Sequence, residues 1–427
     1  MENLIAELQW RGLIQDIIPG TEEQLCKEPT AAYVGFDPTA DSLHIGSLIP
    51  IIILVHLQKK GHKPIALVGG ATGMVGDPTG KSQERNLLSR DILEKNIQGI
   101  KTQLSKFIDF NEEKGNAAEM VNNFDWFRDL SFIDFIRDAG KHITINYMMA
   151  KESVKKRLES ENGMSFTEFC YQLMQGFDFY HLFTTQNCKL QFGGSDQWGN
   201  IITGTELIRK KNGGDAFAFT CPLLKKADGN KFGKSEKGNI WLDSSKTSPY
   251  QFYQFWLNTA DADAANFLKI FTFLPKEEID ELIKAHVGNE HLRIIQKKLS
   301  EEVTCLVHSK KEYEFAVKAS SILFSNDTEE TLKSLNEDQL LQVLEGVPMI
   351  EMPKIKILQT DIISLLSEAG IFSSKGEARK MIDGGGLLIN KVKVHPENLL
   401  INESILLNNK YVLIQKGKKN YYLLIGI

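Results

Sequence analysis

Short apolar runs alternate with helix-like segments through the first half of the chain, and this alternation constrains the fold more than any other feature. The apolar runs read TAAYVGF, PIALVGGATG, VNNFDWF, CKLQFGG and AFAFTCPLL, and the segments between them, such as residues 89–109, have helical spacing. Such an order predicts a parallel β-sheet wrapped by helices. The sequence therefore predicts an α/β fold that binds its ligands at the carboxyl ends of the strands.

Length and charge distribution predict more than one domain. The chain has 427 residues, of which 42% are hydrophobic, and this suits two or three domains of ~150 residues each. Residues 354–427 carry 11 Lys and Arg against 6 Asp and Glu, whereas the whole chain has a net charge of −5. We predict a Rossmann-like domain over 1–245, a helical domain over 246–330, a linker over 331–353, and a small basic α+β domain over 354–427.

Composition argues against a disulfide-rich protein and against a membrane protein. The five cysteines are scattered without a C-x-x-C pair, so we interpret them as core residues. The longest apolar run, LIPIIILV, is far shorter than the ~20 residues that span a bilayer, and no secretory leader is evident. We expect a cytoplasmic protein without membrane contact.

A histidine and a glycine stand where the first strand gives way to a long apolar helix. In YVGFDPTADSLHIGSL, residues 33–48, His44 and Gly46 fall at the start of that helix. A helix N-terminus offers unpaired N–H groups, and a glycine lets an anion approach the backbone, so one interpretation is a phosphate site. The alternative is a helix cap formed by Asp41 or Ser42, with His44 incidental.

A second candidate is the loop KKADGNKFGKSEKGN, residues 225–239, which is rich in glycine and lysine. Its Gly-Lys-Ser triplet misses the spacing of a P-loop by one residue, so it is not a Walker motif. A loop of this composition can place ammonium groups against a polyphosphate. The alternative is a solvated turn.

Polar side chains also form a stripe on an apolar helix. In EFCYQLMQGFDFYHL, Tyr171, Gln175 and Asp178 are spaced i, i+4, i+7 and share one face, and Asp178 stands between Phe177 and Phe179. A surface stripe is the ordinary explanation of such spacing. A lone acid between aromatic residues more often faces a pocket or a buried partner, and we therefore predict one of these two surroundings for Asp178.

These segments, taken in order, resemble the class I aminoacyl-tRNA synthetases. HIG and KFGKS are similar to the paired HIGH and KMSKS signatures of that family, and YVGFDPTADSLHIG, ALVGGATGMVGDPTGK, EFCYQLMQGFDF and GGSDQWGNI resemble bacterial tyrosyl-tRNA synthetases in particular. Ser47 departs from the fourth position of HIGH, and Val34 replaces a cysteine found in some relatives, which puts two contacts to the ATP ribose in doubt. The resemblance implies a homodimer that activates L-tyrosine with ATP, accompanied by Mg²⁺, and transfers it to tRNA(Tyr).

The resemblance also implies the roles of individual residues. Tyrosine would be bound by Tyr33, Asp77, Tyr171, Gln175, Asp178 and Gln197. ATP would be bound by Gly35, Asp37, His44, Gly46, Asp196 and Lys234. The residues acting on the reacting phosphates would be Thr39, His44, Lys231, Lys234 and Ser235.

The tail resembles the small RNA-binding module of a small-subunit ribosomal protein. The stretch DIISLLSEAGIFSSKGEARKMIDGGGLLINKVKV predicts a helix, a capped second helix, a glycine turn and a short strand. By resemblance, Lys375, Arg379 and Lys380 would contact RNA phosphates, and the 1–245 domain would hold an inserted helical dimerisation segment. The alternative is an α+β appendage with a solvated charged face.

Two other functions stay open on the sequence alone. A tryptophan-specific relative would share the fold and the signatures but should lack the pair of Tyr33 and Asp178. A non-enzymatic RNA-binding or splicing protein on the same scaffold would keep the tail and could lose His44 or the loop lysines, all of which are present. The aromatic-rich helical segment after Pro249 is predicted to serve core packing only.

Overall fold

A computed structural model of the chain describes residues 3–79, 89–159, 163–229, 232–235, 238–324, 329–344, 347–395, 400–417 and 420–427. The chain divides into two compact units, Met1–Thr247 with Gln254–His308 and Ser248–Tyr253 with Ser309–Ile427. Across the described ranges, each helix is too short or too polar to cross a membrane.

A five-stranded parallel sheet organises the first unit. Its strands are β1 (Ala31–Phe36), β2 (Lys63–Val68), β3 (Glu119–Asn122), β4 (Cys188–Gly194) and β5 (Phe217–Cys221). They lie in the order β3-β2-β1-β4-β5, and each pair of neighbours is parallel. Strand β2 is buried at five consecutive positions, as expected for a sheet covered on both faces. The predicted α/β fold class is confirmed.

The chain reverses its direction of travel across the sheet at β1. It moves outward through β2 and β3 and then returns to the other side of β1 through β4 and β5. A crevice opens at such a reversal, outside the carboxyl ends of the two central strands, and it is the usual ligand site of an open α/β sheet. The residues that follow β1 and β4 are therefore the ones placed to bind a ligand.

Helices connect and cover these strands. The helix predicted over 89–109 ends earlier, at Leu104, and the helix that carries Asp178 begins at a capping box between Ser165 and Glu168. The helices up to β5 are α1 (Leu4–Trp10), α2 (Thr21–Lys27), α3 (Leu48–Lys59), α4 (Thr72–Val75), α5 (Arg90–Leu104), α6 (Phe124–Phe127), α7 (Phe132–Asp138), α8 (Ile145–Met149), α9 (Glu152–Leu158), α10 (Phe166–Gln186) and α11 (Trp198–Asn212).

A small hairpin and four helices follow the sheet. The hairpin strands are antiparallel and pair Lys234 with Asn239. The first of the four helices has residues in both units. The elements are β6 (Lys234–Ser235), β7 (Gly238–Asn239), α12 (Pro249–Leu257), α13 (Asp261–Phe271), α14 (Lys276–His286) and α15 (Ile294–Val307).

The second unit ends in a five-stranded sheet packed by short helices. Its elements are α16 (Lys310–Phe324), α17 (Glu329–Lys333), α18 (Glu337–Val343), β8 (Met349–Met352), α19 (Lys354–Gln359), α20 (Ile362–Glu368), α21 (Lys375–Asp383), β9 (Leu387–Ile389), β10 (Val392–Lys393), β11 (Tyr411–Lys416) and β12 (Asn420–Gly426). The sheet order is β10-β9-β11-β12-β8. One apolar core, reaching from Met352 to Leu424, fills the space beneath it.

The predicted succession of helix, capped helix and strand matches α20, α21 and β9, and Ser374 caps α21 by accepting from the Glu377 N–H. Strand β8 lies within 331–353, the range predicted as a linker, yet it pairs in parallel with β12. The tail sheet therefore begins before residue 354. The assignment of roles to the domains stays a prediction.

Candidate active site

Two adjoining cavities open at the carboxyl edge of the first sheet. The first has a volume of about 230 Å³ and the second about 760 Å³. Both are lined by Gly35 and Asp37 from the end of β1, by Pro50 of α3 and by Gly194 from the end of β4. The two cavities therefore meet where the strand order reverses.

The first cavity brings together every residue predicted to bind tyrosine. Two direct hydrogen bonds fix parts of this set: the Tyr171 hydroxyl donates to Asp37 Oδ2 at 2.8 Å, and Gln197 Nε2 donates to Asp77 Oδ2 at 2.7 Å. Burial is the main cause that raises the pKa of Tyr171 well above its usual value, so this hydroxyl keeps its proton. The residues are Tyr33, Asp77, Tyr171, Gln175, Asp178 and Gln197.

Asp178 lies at the closed end of this set, and only 2% of the residue is exposed. Its two oxygens accept from Asn123 Nδ2 at 3.0 Å and from Trp126 Nε1 at 2.9 Å. Burial raises the pKa of Asp178 to about 8, and the two donors act in the opposite direction because they favour the ionised form. Asp178 is thus a buried carboxyl group whose ionisation depends on its hydrogen-bond donors.

Tyr33 carries a buried hydroxyl group that lacks a hydrogen-bond partner among the described residues. Burial raises the pKa of Tyr33 well above its usual value, and the Asp178 charge adds to this, so the hydroxyl stays protonated. A buried hydroxyl without a partner costs roughly 1–3 kcal/mol. A ligand hydroxyl in this cavity could accept from Tyr33 and donate to Asp178, which would satisfy both groups.

Four polar residues that line the first cavity or hydrogen-bond to its lining residues were not predicted from the sequence. Asn123 links Asp178 to Thr72, whose hydroxyl donates to Asp37 Oδ1 at 2.9 Å, and Trp126 holds the other Asp178 oxygen. Gln191, on β4, lines the cavity. Asn123 and Trp126 come directly after β3, so the rule that polar residues at strand ends form the site could have identified them.

The second cavity is lined by the predicted phosphate and ATP residues that follow β1. Thr39, His44 and Gly46 are among them, and Ser47, which departs from the family signature, lines the cavity as well. Lys225 and Asn239, which belong to the candidate loop 225–239, also line it, as does Trp241, which was not predicted. No local pattern in the sequence distinguishes Trp241, whose ring lies edge-on to His44 at 6.5 Å between centroids.

The geometry at His44 corrects the expectation of free backbone N–H groups. His44 itself caps the short helical turn Ile45–Ser47, and its Nδ1 accepts from the Gly46 N–H at 3.0 Å. The N–H groups of Ile45 and Ser47 are bonded to Ile240 O and His44 O. Neither Asp41 nor Ser42 is the cap. Since Nδ1 is an acceptor, a neutral imidazole here carries its proton on Nε2.

Gly46 is required by this cap. A Cβ atom at position 46 would lie 2.9 Å from His44 Cε1 and 3.0 Å from His44 Nδ1, which is closer than a side chain tolerates. The spacing of histidine and glycine in HIG therefore follows from the capping hydrogen bond between them.

The KFGKS segment lies against this turn through its backbone. Gly233 has φ +85°, and a Cβ there would meet Ile45 Cγ2 at 2.7 Å, so glycine is required for both reasons. Ile240 N–H donates to Gly233 O, and Ile45 N–H donates to Ile240 O, so Ile240 links the two signature segments. Lys234 and Ser235 form β6, whereas Lys231 lies outside the described residues.

The remaining predicted residues lie in two places. Asp196 lies beside Gly194 at the junction of the cavities, since a Cβ on Gly194 would be 2.6 Å from Asp196 Oδ1. Burial and the nearby Asp77 charge raise the pKa of Asp196. The predicted RNA contacts Lys375, Arg379 and Lys380 are exposed on α21 of the second unit.

Comparison with known proteins agrees with this arrangement. The family model described as tRNA synthetases class I (W and Y) matches residues 25–325, and a model of the tyrosine–tRNA ligase SYY-like C-terminal domain matches residues 339–424. A tyrosine–tRNA ligase of Bacteroides fragilis is 58% identical and that of Flavobacterium johnsoniae is 59% identical, each over 99% of this chain and 99% or more of the relative.

A solved structure supports the same assignment. A C-terminally truncated mitochondrial tyrosyl-tRNA synthetase from Aspergillus nidulans has a TM-score of 0.68 and 31% identity, and the match covers 76% of this chain and 95% of that one. The resemblance inferred from the sequence motifs is confirmed. The chain therefore belongs to the class I tRNA synthetases of the tryptophan and tyrosine family, and the relatives that match it over its full length are tyrosine–tRNA ligases.

Proposed function

We propose that the first cavity binds L-tyrosine and the second binds ATP, in a tyrosine–tRNA ligase. The enzyme joins tyrosine to AMP, releases pyrophosphate, and then transfers the tyrosyl group to the 3′ end of tRNA(Tyr). The observation that carries the proposal is the buried Tyr33 hydroxyl, which no described residue pairs, in a cavity that it shares with the buried Asp178. A phenol satisfies both groups, whereas an indole or a phenyl ring would leave at least one of them unpaired.

The opposite part of the tyrosine cavity suits an amino-acid backbone. Asp77, Tyr171 and Gln175 bind the ammonium group. The carboxylate of Asp37, which accepts from the Tyr171 hydroxyl, adds negative charge there. Gln197, held by Asp77, binds the carboxylate. This orientation directs the tyrosine carboxylate toward the residues that both cavities share, where the α-phosphate of ATP must lie.

Activation then requires positioning and charge stabilisation rather than a protein nucleophile. A carboxylate oxygen of tyrosine attacks the α-phosphorus, the bond to the bridging oxygen breaks, and pyrophosphate leaves with the electron pair. Thr39 and His44 contact the phosphates, and Lys231, Lys234 and Ser235 stabilise the charge that develops on the leaving pyrophosphate. Asp196 binds the ribose of the adenylate. In the second step a terminal ribose hydroxyl of tRNA attacks the acyl carbon, and AMP leaves.

Mg²⁺ enters bound to ATP phosphates in this proposal, because it needs only one or two protein ligands when phosphates supply the rest. Within the described ranges, no three His, Cys, Asp or Glu side chains form a cluster suited to hold a metal ion. A cytoplasmic location and RNA contacts by α21 stay predictions.

Purified protein should support ATP–pyrophosphate exchange with tyrosine and not with tryptophan or phenylalanine. Tyr33→Phe should lower the preference for tyrosine over phenylalanine about tenfold to a hundredfold, since a hydrogen bond to a charged or buried partner is worth ~1.5–3 kcal/mol. Tyr147→Phe is the control, because that hydroxyl bonds to Ile202 O and does not line the first cavity. Exchange stimulated equally by the three amino acids would disprove the assignment of the cavity.

We also propose that the chain forms a homodimer through helices α7 to α10. These helices share a small apolar core that includes Ala139, Met148 and Leu173. Their outer side chains are apolar and unusually exposed, as expected of a surface that a partner covers. The exposed residues are Phe132, Ile133, Ile136, Ile145, Met149, Leu158 and Phe166.

Ile133→Glu should convert the dimer to a monomer at concentrations where the parent protein is dimeric, because a charge would be buried in an apolar contact. Analytical ultracentrifugation measures this directly. Val287→Glu is a matched control, since Ile133 and Val287 are both 69% exposed but Val287 is the C-cap residue of α14 and not part of these helices. A parent protein that sediments as a monomer would show that the apolar face has another purpose.

A further inference from the structure

One face of helix α13 contacts the lysine-bearing loop at two points. At the first point, the Ala227 N–H is bonded to the Asp263 carboxylate, at 2.9 Å to Oδ1 and 3.2 Å to Oδ2. At the second point, the Phe232 ring lies 5.0 Å from Phe267 and 5.2 Å from Phe271. Asp263, Phe267 and Phe271 are spaced i, i+4, i+8 and so form one stripe along the helix.

The second contact is a substantial apolar anchor. Phe232 is edge-on to Phe267 and stacked on Phe271, and Trp256 of α12 lies 5.9 Å away. Trp256 and Phe271 are completely buried and Phe267 is 2% exposed. Aromatic pairs in these geometries add stabilisation beyond their buried area. The Phe232 N–H also donates to Leu224 O at 3.4 Å, which closes the base of the loop.

Phe232 comes directly before the part of the loop that carries Lys234. Gly233 follows Phe232 and packs against Ile45 of the HIG turn, and Lys234 follows Gly233 at the start of β6. Lys234 is paired with Asn239, which lines the second cavity. The position of the Phe232 ring therefore sets the position of the Lys234 backbone relative to the second cavity.

We propose that Asp263, Phe267 and Phe271, here named the loop platform, position the lysine-bearing loop for tyrosine activation. This proposal rests on the function proposed above for Lys234. The loop platform touches no substrate. It holds the backbone at Ala227 and at Phe232, which lie on either side of Lys231 in the sequence and shortly before Lys234. The ammonium groups are then already in position when negative charge develops on the phosphates. The helical segment after Pro249 thus does more than pack the core.

The test compares variants that remove a contact with variants that retain it. Asp263→Ala removes the acceptor for Ala227, whereas Asp263→Asn keeps an acceptor oxygen at the same place. Phe232→Ala empties the aromatic pocket, whereas Phe232→Met refills it with a flexible apolar side chain. Asp261→Ala is the matched control, because Asp261 also lies in the first turn of α13 but accepts from Gln296 Nε2 and lies 3.3 Å from His286 Nε2 rather than contacting the loop.

Asp263→Ala and Phe232→Ala should slow single-turnover formation of tyrosyl-adenylate by roughly tenfold to a hundredfold, the reduction that follows from slight misplacement of a reacting group. The affinity for tyrosine and the melting temperature of Asp263→Ala should be unchanged. Asp263→Asn and Asp261→Ala should keep rates near that of the parent protein. Phe232→Met, at a position that also lines the second cavity, should restore part of the rate lost in Phe232→Ala.

Two results would overturn the proposal. Asp263→Ala could form adenylate as fast as the parent, or it could lose tyrosine affinity and melting temperature in step with the rate, which would indicate a role in the fold alone. Lys234→Ala separates this proposal from the one it rests on. If Lys234→Ala is slow while the Asp263→Ala rate is normal, only the loop platform is wrong, whereas a normal rate in Lys234→Ala would refute the loop's catalytic role itself.

Discussion

Lys234→Ala is expected to slow tyrosyl-adenylate formation by ~100-fold or more, which is the typical effect when one preorganised charge donor is removed from a transition state. Lys234 directly follows Gly233, which packs against Ile45 and whose carbonyl oxygen accepts from the Ile240 N–H. Tyrosine binding should be nearly unchanged, because we propose that tyrosine binds in the first cavity whereas Lys234 acts on the phosphates of ATP.

Rapid-quench single-turnover kinetics at saturating tyrosine and ATP measure this effect. The decrease should appear in the rate constant for adenylate formation, and the dissociation constant for tyrosine should stay the same. Lys226→Ala is a control within the same loop, since the Lys226 ammonium lies 5.6 Å from the Phe255 ring and does not line the second cavity. Equal rates in Lys234→Ala and Lys226→Ala would show that the loop is a solvated turn.

The tyrosine cavity was predictable because its residues obey two local rules. Tyr33 lies on an inner strand of a parallel sheet, and Asp77 and Gln197 follow the ends of strands, so the alternation of elements brings them to one edge. Tyr171 and Asp178 share one face of a single helix, which the 3.6-residue period reveals. Both rules need only the sequence.

The support of Asp178 was predictable in principle, but the sequence analysis treated VNNFDWF as one apolar strand. The strand ends at Asn122, and the next residues turn into α6, which brings Asn123 and Trp126 to the Asp178 carboxylate. Strand-like and helix-like apolar runs of this length cannot be distinguished by periodicity alone. The error lay in the boundary of the strand rather than in its existence.

Other features of the site depend on contacts between distant segments and leave no local pattern. The acceptor role of His44 Nδ1 depends on the turn at Gly46, and the requirement for glycine at 233 depends on Ile45, almost 190 positions earlier in the chain. The aromatic residues of α13 look like ordinary core positions until the loop that they contact is known. Sequence periodicity reports which face of a helix is buried but not what covers it.

The start of the tail sheet was missed for a related reason. The stretch MIEM, residues 349–352, is short and stands between two prolines, so its sequence suggested a break rather than a strand. It becomes β8 only because β12, more than 70 residues later, offers a parallel partner. A cut near Pro353 would leave β8 behind without that partner, and a cut before β8 is the sharper test of the tail.

A chain ended at Leu344 should still make tyrosyl-adenylate but should fail to charge tRNA at concentrations that saturate the full chain. The cut keeps α16 to α18 and removes the whole tail core, which extends from Met352 to Leu424. The described residues that line both cavities all come before 242.

Salt dependence distinguishes an RNA-binding tail from an appendage. When lysine and arginine side chains neutralise RNA phosphates, counterions are released, so tRNA affinity should fall steeply with salt for the full chain and less steeply for the chain ended at Leu344. Arg379→Ala with Lys380→Ala should reduce the slope by about 1 for each phosphate that is no longer neutralised. Lys354→Ala with Lys356→Ala removes the same charge from α19 and should leave the slope unchanged. Should the shortened chain charge tRNA as well as the full one, α21 presents only a solvated charged face and the tail has another purpose.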